Sequence, residues 1–273
     1  MSSSSSPSSL GLSLLSWKAP KTLAATLAAL PSEFLDLFED KVIYFQEISS
    51  KDRELAEQYG FRYEGNDANV GIREGIKQAV LANQCEQVLF LENDVCFNQE
   101  LDSAITQLKT AHQALVDGIV PVVRLRHRQE PGQAYPAIAK YKNYWGDAAT
   151  QNSTKLKLKR LLRPTKARKL IGQAVMVLDH PEQHFDARDI QLQEQNYYTV
   201  NTAVLPWTNQ SILLQKEWFL NTLIPIAEAS KTKRHVNGFP DLEKELNSAW
   251  WRQQTFRMGV SNPGIFTHHR LDR

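Results

Sequence analysis

Two carboxylates follow directly on an apolar run in the segment VLFLENDV. Residues 88–91 are four large apolar residues, and Glu92 and Asp94 come immediately after them, with Asn93 between. Residues two apart in an extended chain point to the same side, so both carboxylates can face one ligand. Carboxylate oxygens are the donors that Mg²⁺ and Mn²⁺ prefer. Taken alone, however, such a triplet is more typical of a solvated turn after a strand.

The elements that would position these acids alternate between strand and helix along the first half of the chain. Predicted strands are LGLSLLS, KVIYFQEI, VLFL and GIVPVVRLRH; predicted helices are KTLAATLAAL, SSKDRELAEQYG, NDANVGIREGIKQAVLANQ and one carrying Leu101, Ile105, Leu108 and Leu115. This alternation predicts an α/β protein with a mainly parallel central sheet flanked by helices. Ligands of such sheets bind beyond the carboxyl ends of the strands, where residues 92–94 fall.

The second half is less regular. IGQAVMVLDH is predicted to be a strand, and NQSILLQKEWFLNTLIPIAEA a strand running into a helix. No acid occurs from Ala148 to Leu178, and KLKLKRLLRPTKARKL holds eight Lys or Arg in sixteen residues. We interpret this run as a mobile, solvated loop inserted in the sheet. The alternatives are contact with anionic lipid, with a polyanionic acceptor or with donor phosphates.

Composition sets limits on the class of protein. A chain of 273 residues can form one large domain or two small ones, and its net charge of +2 gives no overall attraction to nucleic acid or membrane, so no nucleic-acid partner is expected. Cys85 and Cys96 lack metal-type spacing; a reduced, intracellular protein is the default, with a single disulfide left open.

Residues 1–8 are predicted to be a disordered Ser-rich tail. No segment approaches the roughly 20 apolar residues of a membrane span, so we expect a cytoplasmic protein, with peripheral membrane contact as the alternative.

A second motif changes how the acids are interpreted. NVGIREGI, with Asn69, Gly71 and Arg73, precedes VLFLENDV, and together they resemble the GT-A glycosyltransferases, in particular the large family-2-like group, whose apolar strand ends in a D-x-D motif. Here Glu92 replaces the first Asp, and its extra methylene makes direct metal ligation less secure than that by Asp94. The resemblance implies a GT-A-type (Rossmann-like) single domain over 9–273. It would have a nucleotide-sugar-binding half, 9–120, and an acceptor-side half, 121–273, with a basic insertion at 148–170.

The segment NGFPDLEKELNSAWWRQQTFRMGVSNPGIFTHHRLDR resembles the acceptor-side block of the same group. Pro240-Asp241 stands where the group has Glu-Asp, which implies Asp241 as catalytic base, with Glu243 as the alternative. Asp241 could instead only cap the following helix. The resemblance also implies that His268 completes the metal site, with His269 in reserve, although adjacent histidines near a chain end are often surface residues.

The resemblance therefore implies a complete site. A nucleoside-diphosphate sugar, a UDP- or GDP-sugar, would bind with its base near the first two strand ends, and Mn²⁺ or Mg²⁺ would be held by Asp94, Glu92 and His268. A hydroxyl of a glycan or lipid-linked acceptor would receive the sugar, with inversion. The residues assigned to the donor are Ser16, Trp17, Glu47, Asn69, Gly71, Arg73, Glu92 and Asn93.

Two other functions stay open. A sugar-phosphate nucleotidyltransferase has a similar sheet, but it needs a Gly-rich phosphate loop after its first strand, and SLLSWKAPKTL contains no glycine. A non-catalytic polyanion- or membrane-binding protein could use the basic run at 155–170. That function would leave Glu92, Asp94 and Asp241 without a role.

Overall fold

A computed structural model of the chain describes residues 8–133, 136–229, 235–236, 238–247 and 249–269. Apart from Ser8, the predicted tail lies outside the described residues. The strands are β1 (Leu10–Trp17), β2 (Asp40–Gln46), β3 (Arg62–Asn66), β4 (Gln87–Glu92), β5 (Val95–Phe97), β6 (Val122–Arg124), β7 (Ile190–Leu192), β8 (Tyr197–Asn201), β9 (Ile212–Gln215), β10 (His235–Val236), β11 (Phe239–Pro240), β12 (Arg257–Ser261) and β13 (Phe266–His268).

Helices lie between most of these strands. They are α1 (Pro20–Ala28), α2 (Ser32–Leu35), α3 (Ser50–Gln58), α4 (Gly71–Ala82), α5 (Leu101–Val116), α6 (Pro136–Trp145), α7 (Thr154–Leu162), α8 (Pro164–Arg168), α9 (Lys216–Trp218), α10 (Ile224–Ala229), α11 (Leu242–Leu246) and α12 (Ala249–Gln253). Short 3₁₀ helices occupy Ile171–Met176 and Pro181–Gln183, and a π-helical turn, Phe219–Leu223, joins α9 to α10.

Nine strands form one sheet in the order β3-β2-β1-β4-β9-β6-β12-β8-β7. β1, β2, β3 and β4 pair in parallel, whereas β9 runs antiparallel between β4 and β6. The predicted single-domain α/β fold is confirmed, and its sheet is mixed. Because β9 is antiparallel, its start lies at the same edge as the carboxyl ends of β1, β2 and β4.

Both faces of the sheet are covered, which accounts for the apolar run before Glu92. Val88 and Phe90 pack into the hydrophobic core on one face, with residues of α4, α10 and α11. Leu89 and Leu91 pack into the core on the other face, with residues of α1 and α5. All four side chains are fully buried. A strand buried on both faces has no polar face, so its sequence is continuously apolar.

Two predictions for the second half are wrong. IGQAVMVLDH contains the buried 3₁₀ helix Ile171–Met176 and not a strand, because periodicity does not separate a short buried helix from a buried strand. The basic run forms α7 and α8 and not a loop. Leu, Lys and Arg are strong helix formers, and Pro164 suits the first position of α8. The strand and helix predicted for NQSILLQKEWFLNTLIPIAEA are confirmed as β9 and the helical segment 216–229.

A small ribbon outside the main sheet brings the end of the described chain to the strand ends. β13 pairs antiparallel with β5, so that His268 lies opposite Val95 and Phe266 opposite Phe97. Phe34 from α2 packs edge-on against both phenylalanines, with ring centroids 5.1 and 6.0 Å away. This aromatic contact holds the ribbon on the core.

Cys85 and Cys96 are both free. Among the described residues, no helix combines the length and apolar composition needed to span a bilayer.

We predict that Gly71→Ala destabilises the protein more than Gly118→Ala. Both glycines have positive φ, +80° and +67°, so alanine is strained at either position. A Cβ at Gly71 would also lie 2.3 Å from Cβ of Phe239, whereas one at Gly118 would meet nothing within 4 Å. Urea unfolding of the two variants measures the difference, and equal losses of unfolding free energy would show that Phe239 moves aside freely.

Candidate active site

A cavity of about 380 Å³ lies at the edge where the carboxyl ends of β1, β2 and β4 meet the start of β9. Its wall is completed by the first turn of α4, by the β11–α11 junction and by β13. The structure brings most of the predicted site residues together here, although their roles stay predictions. Those lining the cavity are Trp17, Asn69, Gly71, Glu92, Asn93, Asp94, Asp241, Glu243 and His268.

Glu92, Asp94 and His268 form a cluster in which one donor atom from each lies within 4.8 Å of the others. His268 Nε2 lies 3.0 Å from Asp94 Oδ2, and the Asp94 side chain is only 6% exposed. Two carboxylates and an imidazole are a donor set that suits Mn²⁺. These three residues can therefore hold a divalent cation. The exposed His269 takes part only through its backbone N–H, which donates to the Asp94 carbonyl at 2.8 Å.

The turn that carries Asn93 and Asp94 is fixed by the first helix and the first strand. Thr26 Oγ1 of α1 lies 2.8 Å from the carbonyl oxygens of both Asn93 and Val95. The Asn93 side-chain amide donates to Ser16 Oγ at 3.2 Å. Ser16 is buried, and its hydroxyl accepts this hydrogen bond from Asn93. Its predicted role in binding the donor stays a prediction.

Trp17 presents a half-exposed indole at the mouth of the cavity. Its Nε1 donates to Glu47 Oε1 at 3.1 Å, and Lys18 forms an ion pair with the same carboxylate. The hydrogen bond from Lys18, followed by that from Trp17, lowers the pKa of Glu47. Glu47 thus stays ionised and orients the indole, and a flat aromatic surface of this kind suits a nucleotide base.

The loop before α4 is held by side chains. Asn69 Oδ1 accepts from the Gly71 N–H at 2.8 Å, and Gln46 Oε1 accepts from the Val70 N–H at 2.8 Å. Arg73 does not line the cavity; its Nη1 donates to the Ala227 carbonyl at 3.1 Å and ties α4 to α10. The predicted contact of Arg73 with a donor stays a prediction.

Asp241 and Glu243 lie on the wall opposite the strand ends. Asp241 is the N-cap of α11, because its Oδ1 accepts from the Glu243 N–H at 3.1 Å, and it is 8% exposed. Glu243 Oε1 accepts from Thr208 Oγ1 at 2.9 Å and from the Asn209 N–H at 3.0 Å. The capping interpretation of Asp241 therefore holds, while its carboxylate also lines the cavity.

Sequence reasoning missed four polar or aromatic contributors to the cavity wall: Gln46, Asn209, Gln210 and Phe239. Gln46 ends β2 next to the predicted Glu47. Asn209 and Gln210 lie in the segment WTNQS, directly before the apolar strand β9. With the direction of β9 known, this position would have placed them at the ligand-binding edge of the sheet. The direction itself depends on pairing with β4, which is not encoded locally.

No protein-family model matches the chain, and no curated protein matches its sequence. Solved structures do match. S. aureus TarS superposes with a TM-score of 0.50 at 13% identity over 96% of this chain, which spans 60% of the TarS 1–349 chain and 36% of a longer TarS chain. Glucosyl-3-phosphoglycerate synthase from Mycobacterium tuberculosis, in complex with Mn²⁺, UDP and phosphoglyceric acid, matches with a TM-score of 0.50 at 11% identity, covering 97% of this chain and 72% of that one. A mycobacterial protein matches with a TM-score of 0.51 at 12% identity, covering 97% and 68%.

At these identities the likeness concerns the fold. The chain has the GT-A glycosyltransferase fold, as the sequence resemblance predicted.

We predict that Mn²⁺ stabilises the protein through the cluster of Glu92, Asp94 and His268. A ligand at a hundred times its dissociation constant adds about 2.7 kcal/mol to the free energy of unfolding. Asp94→Asn should remove most of the Mn²⁺-dependent rise in melting temperature. Glu194→Gln, which changes an exposed acid in the turn between β7 and β8, should keep it. An unchanged Mn²⁺ response in Asp94→Asn would place the ion elsewhere.

Proposed function

We propose that the protein is a metal-dependent glycosyltransferase that moves a sugar from a nucleoside-diphosphate sugar to a hydroxyl acceptor. The observation that carries this proposal is the cluster of Glu92, Asp94 and His268 at the carboxyl edge of a GT-A sheet. The M. tuberculosis synthase with the same fold was crystallised with Mn²⁺ and UDP, which supports a nucleotide donor and a metal. A UDP- or GDP-sugar is the proposed donor.

The residues of the cavity divide the work between binding and chemistry. Trp17, oriented by Glu47, stacks on the nucleotide base, and the Asn69–Gly71 loop and Asn93 contact the rest of the donor. A divalent cation held by Asp94, Glu92 and His268 would neutralise the charge on the departing diphosphate. Mn²⁺ and Mg²⁺ both suit the carboxylate oxygens of Asp94 and Glu92.

Asp241 is the proposed base. It takes the proton of the acceptor hydroxyl while that oxygen bonds to the anomeric carbon; the bond from this carbon to the diphosphate breaks, and its electron pair leaves with the nucleoside diphosphate. One displacement of this kind inverts the anomeric centre. Glu243 is the alternative base, although its Oε1 is already engaged by Thr208 and Asn209.

The two other functions are less well supported. The connection from β1 to α1, Lys18–Ala19, contains no glycine that could cradle a nucleotidyltransferase substrate. A non-catalytic polyanion-binding protein would leave the buried Asp94 next to His268 without a function.

Peripheral membrane contact stays a prediction that vesicle co-sedimentation would test. α7 has no buried residue, and it exposes Leu158, Leu161 and Leu162 beside Lys155 and Lys157, a composition that favours interfacial helices.

We predict that one of UDP, GDP, CDP and dTDP raises the melting temperature in Mn²⁺ and not in EDTA. Trp17→Ala should weaken this response, because removing a stacking partner costs about 1–3 kcal/mol per base. Trp250→Ala, a change of the same size outside the cavity, serves as the control. If all four nucleotides leave the melting temperature unchanged in both conditions, the proposed function fails; a panel response would also name the donor nucleotide.

We predict that Asp241→Asn retains the fold but loses activity. Asparagine caps helices as well as aspartate does, so the melting temperature should hold. Loss of the base should lower sugar transfer by about 100-fold or more. Glu243→Gln, which keeps an oxygen for Thr208 and Asn209, is the matched variant and should retain more activity. The reverse ranking, measured as release of nucleoside diphosphate, would assign the base to Glu243.

A further inference from the structure

A second cavity of about 770 Å³ adjoins the candidate active site. The two cavities share three wall residues, Gln210, Glu243 and His268. Its other walls come from α6, α7, α8 and the segment before β9. A ligand in the second cavity would therefore contact His268, a member of the candidate metal-binding cluster, and Glu243, the alternative base. The volume is that of a typical small-molecule site.

The wall of this second cavity is strongly basic. Seven Lys or Arg line it, and Glu243 is the one carboxylate among its described lining residues. Six of the seven are Arg126, Lys140, Lys159, Arg163, Lys166 and Lys169. The whole chain has a net charge of only +2, so the clustering is local and does not follow from composition. Like charges brought together repel one another, and a bound anion relieves that repulsion.

Five of the seven basic side chains form no ion pair with an acid among the described residues. Within the described part of the chain, no ion pair involves Lys140, Lys159, Arg163, Lys166 or Lys169. By contrast, Arg168 of α8 does not line this cavity, and it pairs with Asp189 at 3.1 Å. The cavity wall thus keeps its positive charge in the absence of a ligand.

Packing holds several of these cations at the wall. Lys159 Nζ and Lys166 Nζ lie 4.9 and 5.8 Å from the ring centroid of Tyr144, which is itself buried in α6. Burial alone would raise the pKa of the Tyr144 hydroxyl, yet its hydrogen bond with Arg163 and the charge of Lys166 bring that pKa below its ordinary value. The side chains of α6, α7 and α8 therefore share one positive field.

One cation is built into the boundary between the two cavities. Arg126 is 5% exposed, its Nε donates to the Pro131 carbonyl at 2.8 Å, and its Nη1 bonds to Gln210 Oε1. Arg252, the seventh basic residue, donates from Nη1 to the Ala203 carbonyl at 3.1 Å. Fixed guanidinium groups and lysine ammonium groups are the side chains that proteins use for phosphate.

We propose that the second cavity binds the sugar acceptor and that this acceptor carries phosphate. The inference rests on the proposed function and narrows it, because a neutral glycan would leave the positive wall uncompensated. The phosphate sits among the basic residues of α6, α7 and α8, and the acceptor hydroxyl reaches Asp241 past Glu243. A lipid phosphate and a soluble sugar phosphate share this chemistry.

Binding of sodium tripolyphosphate in EDTA, followed by calorimetry, tests the phosphate site without the metal. The double variant Lys159→Ala and Lys166→Ala should bind tripolyphosphate about tenfold or more weakly, because two charge-assisted contacts to phosphate are removed. The control double variant, Lys155→Ala with Lys157→Ala, makes the same charge change on α7, the helix that carries Lys159, but outside the cavity lining. Equal losses in the two double variants would overturn the proposal, because the binding would then be general surface attraction. No binding to the wild type would overturn it as well.

Two further probes distinguish the sources of phosphate, and the nucleotide panel separates the two proposals. If dihexanoyl phosphatidic acid binds more tightly than glucose 6-phosphate, the acceptor is a lipid; the opposite order indicates a soluble acceptor. Either order supports the proposal if the Lys159→Ala and Lys166→Ala double variant binds both probes more weakly. If tripolyphosphate does not bind while a nucleotide stabilises the protein with Mn²⁺, only the acceptor inference fails. If it binds at the cavity and no nucleotide stabilises the protein, the glycosyltransferase function fails and the phosphate site stands.

Discussion

The antiparallel pairing of β5 with β13 is the constraint on which the candidate site depends. It joins residues more than 160 positions apart in the chain and leaves His268 Nε2 3.0 Å from Asp94 Oδ2. A shift of one residue in this register would turn the imidazole to the other side of the ribbon. The contacts of Phe34 with Phe97 and Phe266 oppose such a shift, because each ring occupies a defined place in the core. A hydrophobic interaction thus sets the geometry of a polar site.

The same edge of the protein separates two kinds of charge. Glu92, Asp94 and Asp241 face one cavity, whereas the other is lined by Lys140, Lys159, Arg163, Lys166 and Lys169 from the α6–α8 region. His268, Gln210 and Glu243 lie at the boundary. The near-zero net charge of the chain conceals this division, because opposite charges cancel in the sum whatever their positions. Two adjacent cavities of opposite charge can bring a metal-bound donor and an anionic acceptor together while keeping each on its own side.

Much of the fold was predictable from local sequence, since β1, β4, α4, α5 and β9 have strong patterns of apolar residues. β3, β7, β8 and β12 were missed because they are short, and β12 also pairs with β6 and β8, which are distant in the chain. The cluster of Asp94 and His268 followed from a family resemblance and could not have been derived from spacing, since nothing local relates position 94 to position 268. The basic run was misread because charge suggested solvent, whereas its Leu, Lys and Arg content favours helices whose cations partly line a cavity. Ser16 and Arg73 show the opposite limit: their types suit a donor site, but their observed contacts are with Asn93 and Ala227.

Asp241 illustrates how one residue can serve structure and, as the proposed base, chemistry together. Its Oδ1 caps α11, and this bond fixes the carboxylate relative to a backbone that also carries Leu242 and Leu246 into the core. The capping bond already restricts rotation of the Asp241 side chain. A base at this position would therefore lose less rotational freedom on reaching the transition state. Glu243 lies two residues further along the chain. Hydrogen bonds from Thr208 and Asn209 fix its carboxylate at the point where the two cavities meet. The wall that carries both carboxylates is thus preorganised by hydrogen bonds, one of which begins α11, so the fold positions Asp241 and Glu243 before any ligand is bound.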